Sequence, residues 1–375
     1  MKYMGSKRWQ LENGLGEQLR RVVNPGETFV DLFSGSGAVA CFAATELGAT
    51  VTAIDLQHYA VALSAAVLER TRPVDAKRLI RLWLDPVRQL LADPPPDVVR
   101  ERLARQRALQ PRDVLLARRE ACAHENVFVR SYAGHYFGIE QAHALGALRE
   151  TVPIRRPDAA VCLAALVTAA SRCSASPGHT AQPFQPTKRA LPHIDAIWRR
   201  DLVSETENAL RSLSRKHALV RGESFAADAN EFAKTLTGSE VVFVDPPYSA
   251  AQYSRYYHVL EAVAVGGYAD VAGAGRSPDL AKRRRSEYSC VSSARATLST
   301  LLEQLGGVGC RVVATFPQYR ASNGLSGSDI IDEARRWFDV DTAISSATFS
   351  TLGGNGAARS ARLHSHELVI TMYPR

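Results

Sequence analysis

The sequence predicts an α/β fold in which a doubly wound, mostly parallel sheet is interrupted by a helical insertion. Three observations support this class. Short apolar runs alternate with helical stretches near both ends of the chain, a glycine-rich turn follows the first apolar run, and a polar region broken by prolines separates residues 55 and 240. Strands that alternate with helices pair in parallel and need helices on both faces of the sheet.

The predicted elements begin with residues 28–32, a short buried strand that runs into the glycine turn. A helix at 38–47 stops near Gly48, and a second strand at 51–54 ends on Asp55. Strand, glycine turn, helix and strand form one βαβ unit, whose crossover implies parallel pairing. Three further strands are predicted at 240–244, 311–316 and 367–372.

Residues 56–217 differ in character and are predicted to form an inserted, mainly helical domain. Within them, 98–122 have an Arg-rich helical pattern and 159–170 are apolar enough for a buried helix. Residues 171–192 are rich in Ser, Pro, Gly, Thr and Gln, which predicts a loop too polar for the core. The sheet domain then comprises residues 1–55 and 218–375. The insertion is a long connection between two strands of this domain, and connections of such length are usually functional.

Composition and charge exclude several classes of protein. The 375 residues are 46% hydrophobic and 22% charged, ordinary values that exclude disordered and fibrous chains. The six cysteines include no C-x-x-C pair, so we expect reduced thiols without a zinc cluster or a disulfide framework. Neither a signal peptide nor an apolar run of about 20 residues is recognisable, so we expect a cytoplasmic protein without a membrane span. The net charge of +8 suits a polyanionic partner.

The glycine turn is the first motif that carries chemistry. Gly35-Ser36-Gly37-Ala38-Val39-Ala40 has the pattern G-x-G-x-x-A between a strand and a helix. Its small residues let the backbone approach a ligand closely, and Asp55 at the tip of the second strand can accept hydrogen bonds from ribose hydroxyls. The motif alone fits NAD, FAD or S-adenosylmethionine and does not choose among them.

The second motif, Asp245-Pro246-Pro247-Tyr248, follows the buried strand 240–244. Ligands of open α/β sheets bind at the carboxyl ends of the strands. Two consecutive prolines remove two backbone donors and fix a rigid turn whose carbonyl groups point outward. Asp245 and the Pro246 carbonyl could accept hydrogen bonds from the exocyclic amine of a planar base, and Tyr248 could stack on its ring.

With two further segments, these motifs make the chain resemble the Dam-like (D12 class) adenine-N6 DNA methyltransferases. Residues 2–8, Lys-Tyr-Met-Gly-Ser-Lys-Arg, resemble that family's N-terminal K-[WY]-x-G-[SG]-K motif, and residues 31–37 are similar to its F-x-G-x-G loop. Asp55 stands where the family has its ribose-binding acid, and Asp245–Tyr248 matches the D-P-P-Y box. The order is that of the α arrangement, with target recognition between the glycine loop and the catalytic box.

The resemblance implies a seven-stranded, Rossmann-like methyltransferase sheet and S-adenosylmethionine as the cofactor. The implied cofactor-binding residues are Tyr3 and Lys7 at the amino-acid part, Asp31, Phe33, Gly35 and Gly37 in the loop, Asp55 at the ribose, and Asp228 and Asp245. Asp228 has the place of an acid that faces the cofactor's adenine amine, although an Asp before Asn230 is equally suited to cap a helix.

The implied reaction moves the methyl group directly to a flipped-out adenine, without a metal and with Asp245, Pro246, Pro247 and Tyr248 as the catalytic box. His364, His366 and Glu367 could suggest a metal site, but three polar groups at the start of a strand are more typical of a surface. Residues 315–319 follow a strand and are expected to form the far wall of the site.

The insertion is expected to read DNA, because family members have a loop near the catalytic pocket there and polar side chains of this kind reach base edges and phosphates. The DNA-binding residues predicted in the insertion are Arg172, His179, Gln182, Lys188 and Arg189. Three more, Tyr253, Arg255 and Tyr256, follow the catalytic box and are predicted to line the pocket of the flipped base or to clamp the DNA. A solvated or packed position is an open alternative for each. The expected partner is double-stranded DNA. A restriction or defence-system partner stays open, and a monomer without membrane contact is the default expectation.

Four alternatives remain. Cytosine-N4 methylation would use the same pocket, although a box that begins with Asp rather than Ser favours adenine. Methylation of RNA or of a protein amide uses related boxes, but the N-terminal motif and the basic insertion favour DNA. A nucleotide-dependent oxidoreductase explains the glycine turn and Asp55 but not the D-P-P-Y box. A DNA-binding protein without catalysis is disfavoured by the complete motifs.

Overall fold

The computed structural model describes residues 6–349 and 363–375, with side chains described at 6–345 and 367–375. The strands of these residues are β1 (Thr28–Asp31), β2 (Thr50–Asp55), β3 (Glu223–Ala226), β4 (Val241–Val244), β5 (Val271–Ala272), β6 (Ser277–Pro278), β7 (Arg311–Pro317), β8 (Phe338–Phe349) and β9 (Leu363–Pro374). The five strands predicted from the sequence correspond to β1, β2, β4, β7 and β9.

The helices of the described residues are α1 (Arg8–Glu12), α2 (Leu15–Val22), α3 (Ala38–Glu46), α4 (His58–Leu68), α5 (Ala76–Leu79), α6 (Asp85–Leu90), α7 (Pro96–Ala104), α8 (Pro111–Ala121), α9 (Val127–Tyr132), α10 (Ile139–Glu150), α11 (Asp158–Cys173), α12 (Leu191–Trp198), α13 (Leu202–Ser214), α14 (Ala229–Ala233), α15 (Tyr253–Tyr256), α16 (His258–Val265), α17 (Ala294–Val308) and α18 (Gly327–Ala334). A π-helical turn, Ile80–Leu84, joins α5 to α6. None of these helices combines the length and the apolar character needed to cross a membrane.

The seven-stranded sheet confirms the predicted α/β fold class. Its strand order is β3-β2-β1-β4-β7-β9-β8. The first five strands in this order are parallel, whereas β9 is antiparallel to both of its neighbours, β7 and β8. The four residues of β4, Val-Val-Phe-Val, are all buried, as expected of a central parallel strand that is covered on both faces.

The strand order reverses between β1 and β4. Val30 pairs with Val242 and Asp31 with Phe243, so the two strands end at the same level. Open α/β sheets bind ligands in the crevice at the carboxyl ends of the strands where the order reverses. The fold therefore brings the glycine turn after β1 and the Asp245–Tyr248 box after β4 to one edge of the sheet.

The described chain divides into two compact units. The sheet unit comprises residues 6–72, 217–253, 285–349 and 363–375, and the helical unit comprises 73–216 and 254–284. These limits differ from the predicted ones, since α4 lies in the sheet unit and residues 254–284 lie in the helical unit. The carboxyl end of α4 joins the sheet unit through backbone hydrogen bonds: the amides of Ala218 and Gly222 donate to the carbonyls of Val67 and Leu68 at 3.1 and 2.8 Å.

The Arg-rich stretch 98–122 was predicted as one helix, but it forms parts of two helices, α7 and α8. Pro111 explains the break, because proline lacks the amide hydrogen and forces the preceding residue, Gln110, out of the helical region. An ion pair joins the two helices, with Arg100 paired to Glu120 at 2.8 Å.

The prediction that residues 171–192 are too polar for the core was wrong for their first half. The helix α11 continues to Cys173, and Ser174 and Ser176 are 1% and 3% exposed. These polar residues can be buried because the backbone finds partners within the helical unit. The amide of Ala175 donates to the Tyr136 carbonyl at 2.8 Å, and that of Thr180 donates to the Tyr256 carbonyl at 2.6 Å.

Candidate active site

The glycine turn is shaped by two residues with positive φ. Gly35 and Gly37 have φ of 48° and 71°, a conformation that residues with a Cβ rarely adopt. At Gly37 a Cβ would also lie 2.9 Å from Oγ of Ser64 on α4. Both carboxylate oxygens of Asp55 fix the surrounding backbone, because Oδ2 accepts the amide of Gly35 and Oδ1 that of Gln57, each at 2.8 Å. Asp55 therefore links the turn after β1 to the end of β2.

Asp31, the last residue of β1, is buried beneath this turn. The pKa of Asp31 is raised to about 8, chiefly by burial. The negative charges of Asp245 and Asp55 contribute to this rise, and the hydrogen bond from the Phe33 amide opposes it. At neutral pH the carboxyl group of Asp31 is therefore mostly protonated. A neutral group here limits the negative charge that accumulates at the carboxyl ends of the strands.

Asp245 belongs to a buried network with one lysine and a second carboxylate. The Lys7 ammonium lies 2.9 Å from Oδ1 of Asp245 and 2.7 Å from Oε2 of Glu367. Gln10 also donates to Oε2 of Glu367, and the Thr315 hydroxyl donates to Oδ1 of Asp245 at 2.8 Å. Lys7 is 4% exposed and Glu367 is 1% exposed, so solvent screens these charges little.

The network sets the protonation states of its members. Burial lowers the pKa of Lys7, but the carboxylates of Asp245 and Glu367 outweigh it and raise that pKa to about 12. Burial also raises the pKa of Asp245 to about 6, with Lys7 opposing the rise and Glu367 adding to it. At neutral pH the structure therefore holds a protonated Lys7 beside a mostly ionised Asp245.

Glu367 corrects the prediction of a polar surface at the start of the last strand. Its partner in the antiparallel pairing of β7 and β9 is Pro317, at the carboxyl end of β7. An antiparallel strand brings its own beginning to the edge where its parallel neighbours end. The predicted strand 367–372 starts on this charged residue next to such an edge, and this is the signal that could have identified Glu367. His364 and His366 have side chains outside the described residues.

The turn that carries Tyr248 is fixed in part by Asn323, a residue that the sequence analysis did not single out. Asn323, which is buried, donates to the carbonyl of Pro247 at 2.8 Å and to that of Tyr288 at 3.1 Å. The Tyr248 ring packs edge-on against Phe316, with 6.2 Å between ring centroids. The Lys7 ammonium lies 5.9 Å from the centroid of the same ring. Thr315 and Phe316 thus line one side of the box, where the far wall was expected.

A second aromatic pair lies beside the glycine turn. Phe33 packs edge-on against Tyr288 at 5.0 Å between centroids, and the Tyr288 hydroxyl donates to the Asn230 side chain at 2.6 Å. Asp228 caps α14, because its Oδ1 accepts the amides of Asn230 and Glu231 at 2.9 and 3.2 Å. The capping role is thus observed, and contact of Asp228 with a cofactor stays a prediction.

The predicted DNA-binding residues differ in their surroundings. Gln182, Lys188, Arg189 and Arg255 are exposed. Arg172 lies in the last turn of α11 rather than on a loop, and it pairs with Glu205 at 3.2 Å. The remaining three are half-buried: Tyr253, Tyr256 and His179.

Within the helical unit, the rings of His179 and Tyr256 pack 5.2 Å apart. Burial lowers the pKa of His179, and the charge of Arg255 lowers it further. His179 is therefore a neutral ring next to an exposed arginine. Tyr253 belongs to the sheet unit, and seven of the eight predicted residues belong to the helical unit.

This edge of the sheet combines carboxyl groups with an exposed backbone turn, and these are the residues that could hold a cofactor. Three carboxyl groups, from Asp31, Asp55 and Asp245, lie close enough to influence one another electrostatically at the edge of the sheet. Next to them the backbone turn carries no side chain at Gly35 and Gly37, and the buried hydroxyl of Ser34 has no hydrogen-bond partner in the described part of the chain. Tyr3, predicted to touch the cofactor, lies outside the described residues.

Comparison with known proteins agrees with this fold, although no family model matches the chain. The chain is 25% identical over 352 residues to modification methylase LlaI of Lactococcus lactis subsp. lactis, covering 91% of this chain and 49% of that protein. It is 36% identical over 87 residues to type II methyltransferase M.NlaIII of Neisseria lactamica, covering 22% and 25%. Modification methylase StsI of Streptococcus sanguinis is 23% identical over 121 residues, covering 32% and 17%. The chain spans about half the length of these relatives or less.

Proposed function

We propose that the chain is an S-adenosylmethionine-dependent DNA methyltransferase that modifies the N6 amine of adenine. The observation that carries the proposal is the position of the Asp245-Pro-Pro-Tyr248 box at the carboxyl end of β4, level with the glycine turn that follows β1. The similarity to three proteins named as methyltransferases or modification methylases supports the same class of reaction.

Asp245 would orient the amine of the target base. Lys7 and Thr315 both bind Oδ1, so Oδ2 is the oxygen that we assign to the amine. With a pKa of about 6, Asp245 is mostly ionised at neutral pH and can accept this hydrogen bond. A hydrogen bond in the plane of the base directs the nitrogen lone pair out of that plane. After methyl transfer the same oxygen can take up the proton that the amine loses.

Tyr248 would hold the ring of the base by stacking. Its hydroxyl remains neutral, because burial raises its pKa well above the usual value. Asn323 fixes the carbonyl of Pro247, and Phe316 supports the edge of the Tyr248 ring. A prearranged aromatic surface of this kind offsets part of the few kcal/mol that flipping a base out of the duplex costs.

The cofactor would lie at the glycine turn. Gly35 and Gly37 allow close approach, Asp55 would accept hydrogen bonds from the ribose, and Phe33 and Asp228 would face its adenine. Asp31, Lys7 and Tyr3 would complete the end that holds the amino acid. S-adenosylmethionine, when bound, supplies a methyl group that is activated by the positive sulfur. The residues of the chain then mainly provide orientation and electrostatic stabilisation.

Double-stranded DNA is the proposed substrate. The sequence has a formal charge of +8, and the exposed side chains of Gln182, Lys188, Arg189 and Arg255 belong to the helical unit. Arginine and glutamine can make two hydrogen bonds each to guanine and adenine, and lysine binds phosphates. We assign sequence recognition to this unit and catalysis to the sheet unit. The proposed protein acts as a monomer in the cytoplasm. Where it serves a restriction or defence system, it has a partner protein.

The test is incubation of the purified chain with unmethylated DNA and S-adenosylmethionine, followed by digestion and mass analysis of the nucleosides. Asp245→Ala removes the proposed acceptor. Asp332→Ala is the matched control, because Asp332 is an exposed residue of α18 in the same unit, with a side chain 71% exposed. The proposal requires N6-methyladenine from the wild type and the control, and a loss of at least a hundredfold in the Asp245→Ala variant.

Other products would separate the parts of the proposal. N4-methylcytosine would overturn the choice of base and keep the cofactor and the box. Absence of any methylated base would call for a binding assay with S-adenosylmethionine alone. Binding that is lost in Gly37→Ala would leave a methyltransferase with a different substrate, whereas no binding at all would overturn the proposal.

A further inference from the structure

Three potential metal ligands meet in the helical unit, remote in sequence from the glycine turn and from the Asp245–Tyr248 box. Asp97 lies in the first turn of α7, His124 in the connection between α8 and α9, and His143 in the middle of α10. One ligand atom from each, a carboxylate oxygen or an imidazole nitrogen, lies within 4.8 Å of the other two. All three side chains are half-buried. The sequence gives no sign of this cluster, because no two of these residues have the short spacing of a metal-binding motif.

The contacts inside the cluster already resemble those around a metal ion. Nε2 of His143 lies 3.1 Å from Oδ2 of Asp97. The rings of His124 and His143 are nearly perpendicular, at 88°, with centroids 4.6 Å apart. Oδ1 of Asp97 accepts the amide of Val98 at 3.0 Å, which orients the carboxylate and leaves Oδ2 directed at the histidine. Hydrogen bonds of this type to the ligands are a regular feature of metal sites.

We propose that Asp97, His124 and His143 bind one divalent transition-metal ion, of which Zn²⁺ is the representative. Two imidazoles and one carboxylate are a ligand set that Zn²⁺ uses when a fourth position is filled by water. Tetrahedral bonds of about 2.0–2.2 Å separate neighbouring ligands by about 3.3 Å. The Asp97–His143 distance of 3.1 Å already agrees with this.

Both histidines must adjust. Nε2 of His143 must release the proton that it shares with Oδ2 of Asp97 before it can give its lone pair to the metal. Nδ1 of His124 accepts the amide of Asn126 at 2.9 Å, a bond that belongs to the tautomer with the proton on Nε2. On binding, one nitrogen must give its lone pair to the metal and the other must carry the proton, so the Asn126 hydrogen bond is exchanged for a metal bond. The short connection from Cys122 to Asn126 between α8 and α9 permits this movement. The bound ion would then join α7, α10 and this connection.

The test uses the full chain after removal of metals with a chelator. Zn²⁺ is titrated by calorimetry, and Co²⁺ by its visible absorption, which reports tetrahedral coordination. The variants are His124→Ala, His143→Ala and Asp97→Asn, the last of which keeps a hydrogen-bonding side chain beside His143. His193→Ala on α12 is the matched control. A fifth variant, His364→Ala with His366→Ala, removes the other histidine pair that the sequence analysis considered.

We expect one equivalent of metal to bind the wild type, the His193 variant and the His364/His366 variant with equal affinity. Binding should weaken at least tenfold in each of the three cluster variants. Circular dichroism of the helices identifies a variant that fails to fold. If the alanine variants fail to fold, the metal affinity of Asp97→Asn decides whether the cluster binds the ion. Less than one equivalent bound to the wild type, an affinity unchanged in the cluster variants, or loss of the metal in the His364/His366 variant would each overturn the proposal.

Discussion

Asp31 ends β1 and Asp245 directly follows the neighbouring strand β4. The two carboxyl groups differ in protonation because only Asp245 has a lysine partner. The pKa of Asp31 is about 8 and that of Asp245 about 6. An acid whose pKa is raised by folding stabilises the folded state only while it is protonated. The contribution of Asp31 is therefore fully present below pH 3.8, the ordinary value for the group, and is lost as the pH rises through about 8.

The loss of this stabilisation with rising pH leads to a prediction for Asp31→Asn. Asparagine has the same shape but cannot ionise, so the free energy of unfolding of the variant relative to the wild type should rise with pH between 5 and 8. The rise should be at most about 1.4 kcal/mol per pH unit and should level off above pH 8. Denaturant unfolding across this range measures it. The exposed control Asp332→Asn should show no such trend, and an equal trend in both variants would contradict the assigned pKa.

Glu367 permits a second prediction at the level of single residues. It shares the Lys7 ammonium with Asp245, and its charge contributes to the raised pKa of Asp245. In Glu367→Gln this charge is gone and Lys7 interacts with Asp245 alone, so the pKa of Asp245 should fall. The acidic limb of the methylation rate, expected near pH 6 in the wild type, should move to lower pH, and the unfolding free energy should drop by about 1–3 kcal/mol.

The control for this prediction is Glu12→Gln, an exposed residue of α1 in the same unit. Its pH–rate profile should coincide with that of the wild type. A Glu367→Gln enzyme that loses activity equally at every pH would show that Glu367 only supports the fold. An unchanged acidic limb with full activity would show that the charge of Glu367 does not set the pKa that this limb reports.

At the scale of elements, the turn between β1 and α3 can be tested against another glycine of the same unit. Gly37 and Gly309 both have positive φ, at 71° and 87°, but only at Gly37 would a Cβ lie within 3 Å of another residue, 2.9 Å from Ser64 Oγ. Each change to alanine should cost about 1–2 kcal/mol for the backbone conformation. In Gly37→Ala the new Cβ would also clash with Ser64 on α4, so the glycine turn must move away from that helix. It should therefore abolish cofactor binding, measured by calorimetry, while Gly309→Ala binds normally.

The buried segment after α11 gives a further prediction at this scale. The Tyr136 hydroxyl lies 2.6 Å from the carbonyl oxygen of Thr180 and 2.8 Å from that of Gly275, and its one proton is shared between them. Tyr136→Phe leaves both carbonyls without this donor, which should cost about 1–3 kcal/mol of unfolding free energy. The segment that leads to Gln182 should become more accessible to protease and DNA binding should weaken, whereas cofactor binding should not change. Unaltered proteolysis at this segment would contradict the argument.

The elements that could be predicted from the sequence are those whose signal is local. The turn at Gly35–Gly37 and the box at Asp245–Tyr248 each follow a strand of consecutive apolar residues, and the rule for ligand sites at strand ends brings them together. The strands β3 and β8 gave no such signal. β3, Glu-Ser-Phe-Ala, lies at the sheet edge with one buried residue, Ser224, and in β8 the apolar Ile344 is exposed.

Contacts between distant parts of the sequence were beyond prediction for a different reason. Lys7 and Glu367 are 360 positions apart in the sequence. They meet because β9 pairs with β7 in the antiparallel direction, which brings Glu367 to the carboxyl end of β7. Asn323 reaches the carbonyl of Pro247 from a loop without any motif. The polar segment 171–181 was misjudged because composition indicates exposure only when the polar groups find no partners inside the protein. Its hydrogen bonds to Tyr136 and Tyr256 supply those partners.

At the scale of the whole molecule, the excess of positive charge should govern DNA affinity through the release of counterions. Each phosphate neutralised by a lysine or an arginine contributes about 0.9 to the slope of log affinity against log salt concentration. Lys188 and Arg189 are adjacent, exposed and located just before α12. Arg215 and Lys216, just after α13, are also adjacent and exposed in the same unit, so they form a control pair with the same change of charge.

Changing Lys188 and Arg189 together to glutamine should therefore weaken DNA binding at low salt and reduce the slope by up to about 1.8, the value for two lost phosphate contacts. The same change at Arg215 and Lys216 alters the net charge equally but removes no proposed contact, so its slope should stay near that of the wild type. Fluorescence anisotropy with one duplex between 50 and 300 mM salt measures both. An equal loss of slope in the two pairs would mean that net charge alone attracts the DNA and that residues 188 and 189 do not touch it. A loss confined to the first pair would place the phosphate backbone against the start of α12 and give the position from which base-reading side chains such as Gln182 can be sought.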